Sequence, residues 1–120
     1  MQEKLIVYNQ TRDVTLGDRV SVADGFWTRL KGLLGRRELE SGEGLLLIPC
    51  ASVHTMGMKF SIDVVFVSVA GRVLRVVPRL APGKIGASVR GARYVLELPA
   101  GGAVGVEPGD QIVWRICEQN

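Results

Sequence analysis

Asp63-Val64-Val65-Phe66-Val67-Ser68-Val69-Ala70-Gly71-Arg72-Val73-Leu74-Arg75-Val76-Val77 holds two runs rich in β-branched residues, Asp63–Val69 and Arg72–Val77, separated by Ala70-Gly71. Valine is stiff at χ1 and packs well on a pleated surface. Two such runs around a short glycine-containing connection predict a β-hairpin. The hairpin sets the class of the fold: strands joined by tight turns.

Working outward, Leu45-Leu46-Leu47-Ile48 is too short for a helix and too apolar for a half-exposed strand, so it predicts a central strand ended by Pro49. Ser52–Phe60, if extended, puts Ser52, His54, Met56, Met58 and Phe60 on one face and Val53, Thr55, Gly57 and Lys59 on the other. Pro78–Gly91, with two prolines and three glycines, predicts an irregular loop or short edge strands. Tyr94–Leu98 predicts another strand. Glu107-Pro108-Gly109-Asp110 has the pattern of a type II turn leading into a last strand over Gln111–Glu118, with Ile112, Trp114 and Ile116 toward the core.

Toward the N-terminus, Lys4–Asn9 and Val14–Ala23 predict two strands with a turn near Arg12 and Asp13. Asp24 is a candidate cap for a helix whose apolar positions Phe26, Leu30, Leu33 and Leu34 fall at i, i+4, i+7 and i+8, with Gly35 as the stop. The expectation is a mainly β, single domain over residues 1–120, a β-sandwich or partly closed barrel of roughly seven to nine short strands with one early α-helix.

The chain has 120 residues, 47% hydrophobic and 22% charged, with 15 Lys plus Arg against 12 Asp plus Glu and a net charge of +3. A chain of this length removes roughly two thirds of its unfolded surface from water and needs no metal or disulfide staple. No apolar stretch approaches the roughly 20 residues of a membrane-spanning helix. With only Cys50 and Cys117 there is neither a disulfide framework nor a C-x-x-C pair, so two reduced thiols are expected. The N-terminus lacks the apolar stretch of a signal peptide, so a cytoplasmic location is expected unless a leader has been trimmed.

The chain's one histidine lies in Cys50-Ala51-Ser52-Val53-His54-Thr55-Met56-Gly57-Met58. Cys50, His54, Met56 and Met58 are soft-metal ligand types, but an extended chain separates i from i+4 by about 13 Å, so they share an ion only if the segment bends. Otherwise the two methionines fill the core and His54 takes a hydrogen bond. Cys50, His54 and Asp63 also supply a nucleophile, an imidazole and an acid. Asp63, at the head of an apolar strand, has a structural alternative as an acceptor of backbone hydrogen bonds. Phosphate-loop, serine-hydrolase and zinc-protease motifs do not occur, so no catalytic residue and no cofactor are assigned.

Between Asp63 and Glu97 there is no acidic residue, whereas Arg72, Arg75, Arg79, Lys84, Arg90 and Arg93 are basic. They are candidate anion-binding residues, and Arg29, Lys31, Arg36 and Arg37 extend the positive surface. Only Tyr94 supplies an aromatic nearby, so a solvated face is favoured over nucleic-acid binding.

Gly32-Leu33-Leu34-Gly35-Arg36, Gly42-Glu43-Gly44-Leu45-Leu46-Leu47, Pro49-Cys50, the block from His54 to Phe66, and Tyr94-Val95-Leu96-Glu97-Leu98-Pro99-Ala100-Gly101 follow one another in an order and spacing that resemble the bacterial and archaeal domain of unknown function 192. The resemblance runs from about Thr11 to Trp114, with Met56 where related sequences carry an aromatic and Ser61 where they carry proline. It implies a compact mainly β domain and no established reaction. The polar positions of the pattern, Arg36, Glu43, His54, Thr55 and Asp63, are where it would place a ligand or interaction site. The leading expectation is a non-enzymatic module, monomeric or weakly dimeric, that binds a protein or a small ligand. Metal or hydrolase-like chemistry at Cys50, His54 and Asp63 is the alternative, and anion or nucleic-acid binding through residues 72–93 is the third.

Overall fold

β5 (Ile62–Ser68) and β6 (Val73–Leu80) form the expected antiparallel hairpin, with Phe66 opposite Arg75 and Val65 opposite Val76. Its turn is closed by the Gly71 N–H donating to Ser68 O at 2.9 Å. Gly71 has φ 83°, and a Cβ there would lie 2.7 Å from the carbonyl oxygen of Ile112, so the position requires glycine on both counts.

The computed structural model describes residues 4–117; the expected strand end at Glu118 lies outside them. The other elements are β1 (Lys4–Asn9), β2 (Val14–Ala23), α1 (Phe26–Lys31), β3 (Glu43–Leu47), β4 (Ser52–His54), β7 (Ile85–Ser88), β8 (Ala92–Pro99) and β9 (Ile112–Cys117). Seven strands form a mixed sheet in the order β6-β5-β8-β3-β2-β1-β9, with β4 and β7 as a separate ribbon. Among the described residues the sheet does not close into a barrel, although an isolated bridge joins Arg72 to Gln111 between the strands of its two edges.

β3 stands fourth of the seven strands, as its unbroken apolar run predicts. It runs parallel to β2, with Ser21 opposite Leu45 and Ala23 opposite Leu47. Parallel neighbours need a long crossover, and here residues 24–42 supply it and carry α1. β5 lies between β6 and β8 with six of its seven residues buried. Val65 and Val67 pack on one face with Leu46, Leu96 and Leu98, and Val64 and Phe66 on the other with Leu45, Leu47 and Val95. Burial on both faces explains why the run is continuous rather than alternating, and each such side chain contributes about 1.5–3 kcal/mol.

Asp63 is buried, and its two oxygens accept the N–H groups of Arg79 and Ala103, each at 2.9 Å. Those bonds hold Arg79 at φ 48° and tie the 100–105 loop to β5. Asp110, also buried, accepts from Asn9 Nδ2 and Glu107 N, each at 3.0 Å, and pairs with Arg12.

Three expectations are corrected. The helix ends at Gly32, not Gly35, and Gly25 rather than Asp24 is its N-cap. Gly32 takes φ 51°, which breaks the helix, so Leu33 is buried from the turn that follows while Phe26 and Leu30 remain 63% and 53% exposed. The extended reading of Ser52–Phe60 holds only to His54; a turn at Met56 and Gly57 (φ 80°) leaves Met56 half in solvent instead of in the core. Ile112 is buried and Trp114 packs against the core, but Ile116 on the edge strand β9 is 52% exposed. Both cysteines are free thiols, and no helix of the described residues is long and apolar enough to cross a membrane.

Candidate functional site

On β8, Leu96 and Leu98 face one core cluster, so Val95 and Glu97 alternate to the opposite face. Glu97 stands opposite Leu45 on β3 and Val64 on β5, and is only 4% exposed. Its carboxylate takes no hydrogen bond and no ion pair from the described residues. Since no fully buried polar side-chain atom among them lacks a partner, the Glu97 oxygens meet open space.

That space is a cavity of about 230 Å³. Its floor is the sheet, at Leu47 and Glu97. One wall is α1 and the turn after it, through Phe26, Leu30, Leu33 and Leu34; the other is Cys50, Ser52, Val53 and His54, with Met58 beside them. Arg29 and Lys31 also line it. Burial in these apolar surroundings pushes the Glu97 carboxyl up to about 7.

Each wall is fixed by its own bonds. Arg29 Nη1 donates to Asp24 O at 2.9 Å and Ile48 O at 3.3 Å, tethering α1 to the end of β3. α1 buries none of its residues, and Phe26 and Trp27 stack edge to face at 5.0 Å. The opposite wall hangs on Thr55, whose N–H donates to Lys84 O at 2.8 Å and whose hydroxyl accepts from Lys84 N at 2.9 Å while donating to Ala81 O at 2.5 Å. Cys50 N–H donates to Arg93 O at 2.9 Å, and its thiol donates to Ser52 O at 3.1 Å. His54 Nδ1 accepts from Met56 N–H at 3.3 Å, which places the proton of the neutral ring on Nε2.

Of the residues singled out in the sequence, Cys50, His54 and Met58 line this cavity, and so do Arg29 and Lys31 from the positive surface. Neither Thr55 nor Asp63 lines it: Thr55 anchors one wall through Ala81 and Lys84, and Asp63 holds the backbone of Arg79 and Ala103. Arg36 and Glu43 pair at 3.1 Å, and Glu43 also accepts Glu40 N–H at 2.9 Å. That backbone bond, ahead of Arg36, holds the Glu43 carboxyl below its ordinary range. Among the described residues, no three His, Cys, Asp or Glu side chains gather as a metal site.

The basic residues spread over β6, β7 and β8 and their turns: Arg72 donates to Gly109 O, and Arg75, Arg79, Lys84, Arg90 and Arg93 have no carboxylate within ion-pair distance among the described residues. Glu97 is the residue that sequence reasoning missed. Its signal was available: one acid inside the apolar run Tyr94–Leu98 of a strand expected to be buried.

The model of the uncharacterised family DUF192 matches residues 7–114. A UPF0127 protein of Pyrococcus horikoshii is 31% identical over 114 residues, covering 91% of this chain and 98% of its own. One from Thermococcus sibiricus is 29% identical over 121 residues, covering 95% and 77%. A crystal structure of a protein of unknown function from Novosphingobium aromaticivorans superposes with a TM-score of 0.79 at 25% identity, covering 92% of this chain and 83% of that one.

Proposed function

The chain belongs to the DUF192 family, and from that starting point we propose that it is a small-ligand-binding module, not an enzyme, whose site is the cavity beneath α1. The observation that carries this is Glu97: a buried carboxylate without a partner among the described residues, on the floor of a largely apolar cavity. An unpartnered buried acid costs several kcal/mol unless something outside the chain satisfies it. Apolar walls with a few convergent polar groups are the usual make-up of a ligand site.

A relay through Cys50, His54 and Asp63 has less support. The Cys50 thiol donates to a carbonyl, His54 Nδ1 is engaged by Met56 N–H, and both Asp63 oxygens hold backbone N–H groups.

The test is an NMR titration of ¹⁵N-labelled protein with a panel of six-carbon probes: 1-hexanol, hexylamine, hexanoate and 6-aminohexanoate. Saturable shifts confined to amides around the cavity, such as Leu33, Leu47, Cys50 and Glu97, are the expected result. A panel that leaves these amides unmoved ends the proposal.

A further inference from the structure

The cavity is graded in charge with depth. Glu97 lies at its floor, 4% exposed. Lys31 is exposed and Arg29 half-buried where α1 meets solvent. The wall between them is apolar, with Leu30, Leu34 and Met58.

Building on the ligand-binding proposal, we infer that the ligand is an amino-carboxylate: its ammonium meets the Glu97 carboxylate at the floor, its carboxylate meets Lys31 and Arg29 at the rim, and a short apolar segment joins them. Charge complementarity separates this class from its neighbours. A simple carboxylate satisfies the rim and sets an acid above an acid. A simple amine satisfies Glu97 but passes two cations and leaves them unmatched. An alcohol donates one hydrogen bond and offsets no charge. Only a molecule with both charges at opposite ends answers both levels, and a buried ion pair is favourable only when each charge is matched.

The charged and titratable groups around the cavity that holds Glu97 are few. α1 contributes Arg29 and Lys31, the opposite wall contributes Cys50 and His54, and β3 and β5 offer only Leu45, Leu47 and Val64 beside it. On β8 itself, Arg93 lies two alternations earlier on the same face. Arg29 is already committed to two backbone carbonyls, which leaves Lys31 as the freer cation for the ligand's outer end.

The experiment compares dissociation constants of ω-amino acids of four to eight carbons with their matching amines, carboxylates and alcohols, on the whole chain and on Glu97→Gln and Lys31→Ala. The expected result is that the best ω-amino acid binds at least about tenfold tighter than each single-ended counterpart. That advantage is lost in Glu97→Gln and reduced several-fold in Lys31→Ala, an exposed position whose replacement leaves the core untouched. Between pH 5 and 7 its affinity rises with pH, up to about tenfold per unit, and levels above, because the ammonium selects the ionised carboxylate. If an amine, alcohol or carboxylate matches or exceeds the ω-amino acid at the cavity amides, the inference fails while the binding site stands. If no probe moves those amides, both fail.

Discussion

Asp63 and Ala103, on β5 and on a loop after β8, are joined by one short bond, the Ala103 N–H donating to Asp63 Oδ2 at 2.9 Å inside the protein. The other oxygen takes Arg79 N–H at the same distance. Asp63→Ala leaves both N–H groups without a charged acceptor. The expected loss is about 3 kcal/mol of unfolding free energy by urea titration, and less for Asp63→Asn, which keeps one acceptor oxygen. Probe binding at the cavity should survive in the folded fraction of either variant. A loss below about 1 kcal/mol for Asp63→Ala would refute this structural role.

Glu97 makes the stability of the protein depend on pH in an unusual direction. Its folded carboxyl titrates near 7 against an ordinary value of 4.5, so the folded state holds a proton there that the unfolded state gives up. The sign is that stability is full below about 4.5 and declines as pH rises toward 7, by about 3 kcal/mol from this group. Glu97→Gln should remove the decline and leave a variant more stable than the parent at pH 8. Parallel curves for the two proteins between pH 4.5 and 8 would contradict this.

Asp110 works the other way. A hydrogen bond from Asn9 is the main cause holding its carboxyl below the ordinary range, assisted by Glu107 N–H and by Arg12, with burial opposing. Its contribution is present above about pH 4 and disappears as pH falls through the lowered value. Asn9→Ala should shift the acid-unfolding midpoint upward and reduce stability at neutral pH by about 2 kcal/mol. An unchanged acid midpoint would mean that Arg12 and Glu107 N–H hold the carboxylate unaided.

Gly86 on β7 sits against β4, where an added Cβ would come within 2.6 Å of Val53 O and 2.7 Å of its Cγ1. Backbone on one side and a buried side chain on the other give it nowhere to move. Gly86→Ala should push the wall bearing Ser52 and His54 outward, lower stability by about 2 kcal/mol and weaken probe binding. A variant with parental stability and affinity would show that the ribbon has slack.

Much of the fold was legible because its strands are short and strongly patterned. β1 and β2 begin and end at the expected residues, and the all-apolar Leu45–Ile48 run marks the centre of the sheet. The helix was harder. The spacing of Phe26, Leu30, Leu33 and Leu34 fits a helix of two and a half turns, but it also fits one short helix followed by a turn that delivers only Leu33 to the core, and the backbone freedom of Gly32 selects the second. Ser52 and His54 are exposed with Val53 buried between them, as strand parity requires, and parity stops where the chain turns at Gly57. Glu97 could be placed in a strand by pattern, but its isolation depends on Leu45 and Val64 flanking it in register, and those partners are distant in sequence.

The parallel pairing of β2 and β3 obliges the chain to travel from one end of the sheet back to the other, and residues 24–42 make that journey. The outer wall of the cavity is thus built from connecting chain that contributes no rung to the ladder, whereas the acid at its base belongs to a central strand. The cavity is therefore lined by two kinds of chain, strand residues such as Leu47, His54 and Glu97 and connecting residues such as Phe26, Leu30 and Leu34. Phe26, Leu30 and Lys31 line the cavity without pairing in the sheet, so replacing them reshapes its outer wall while every strand keeps its neighbour.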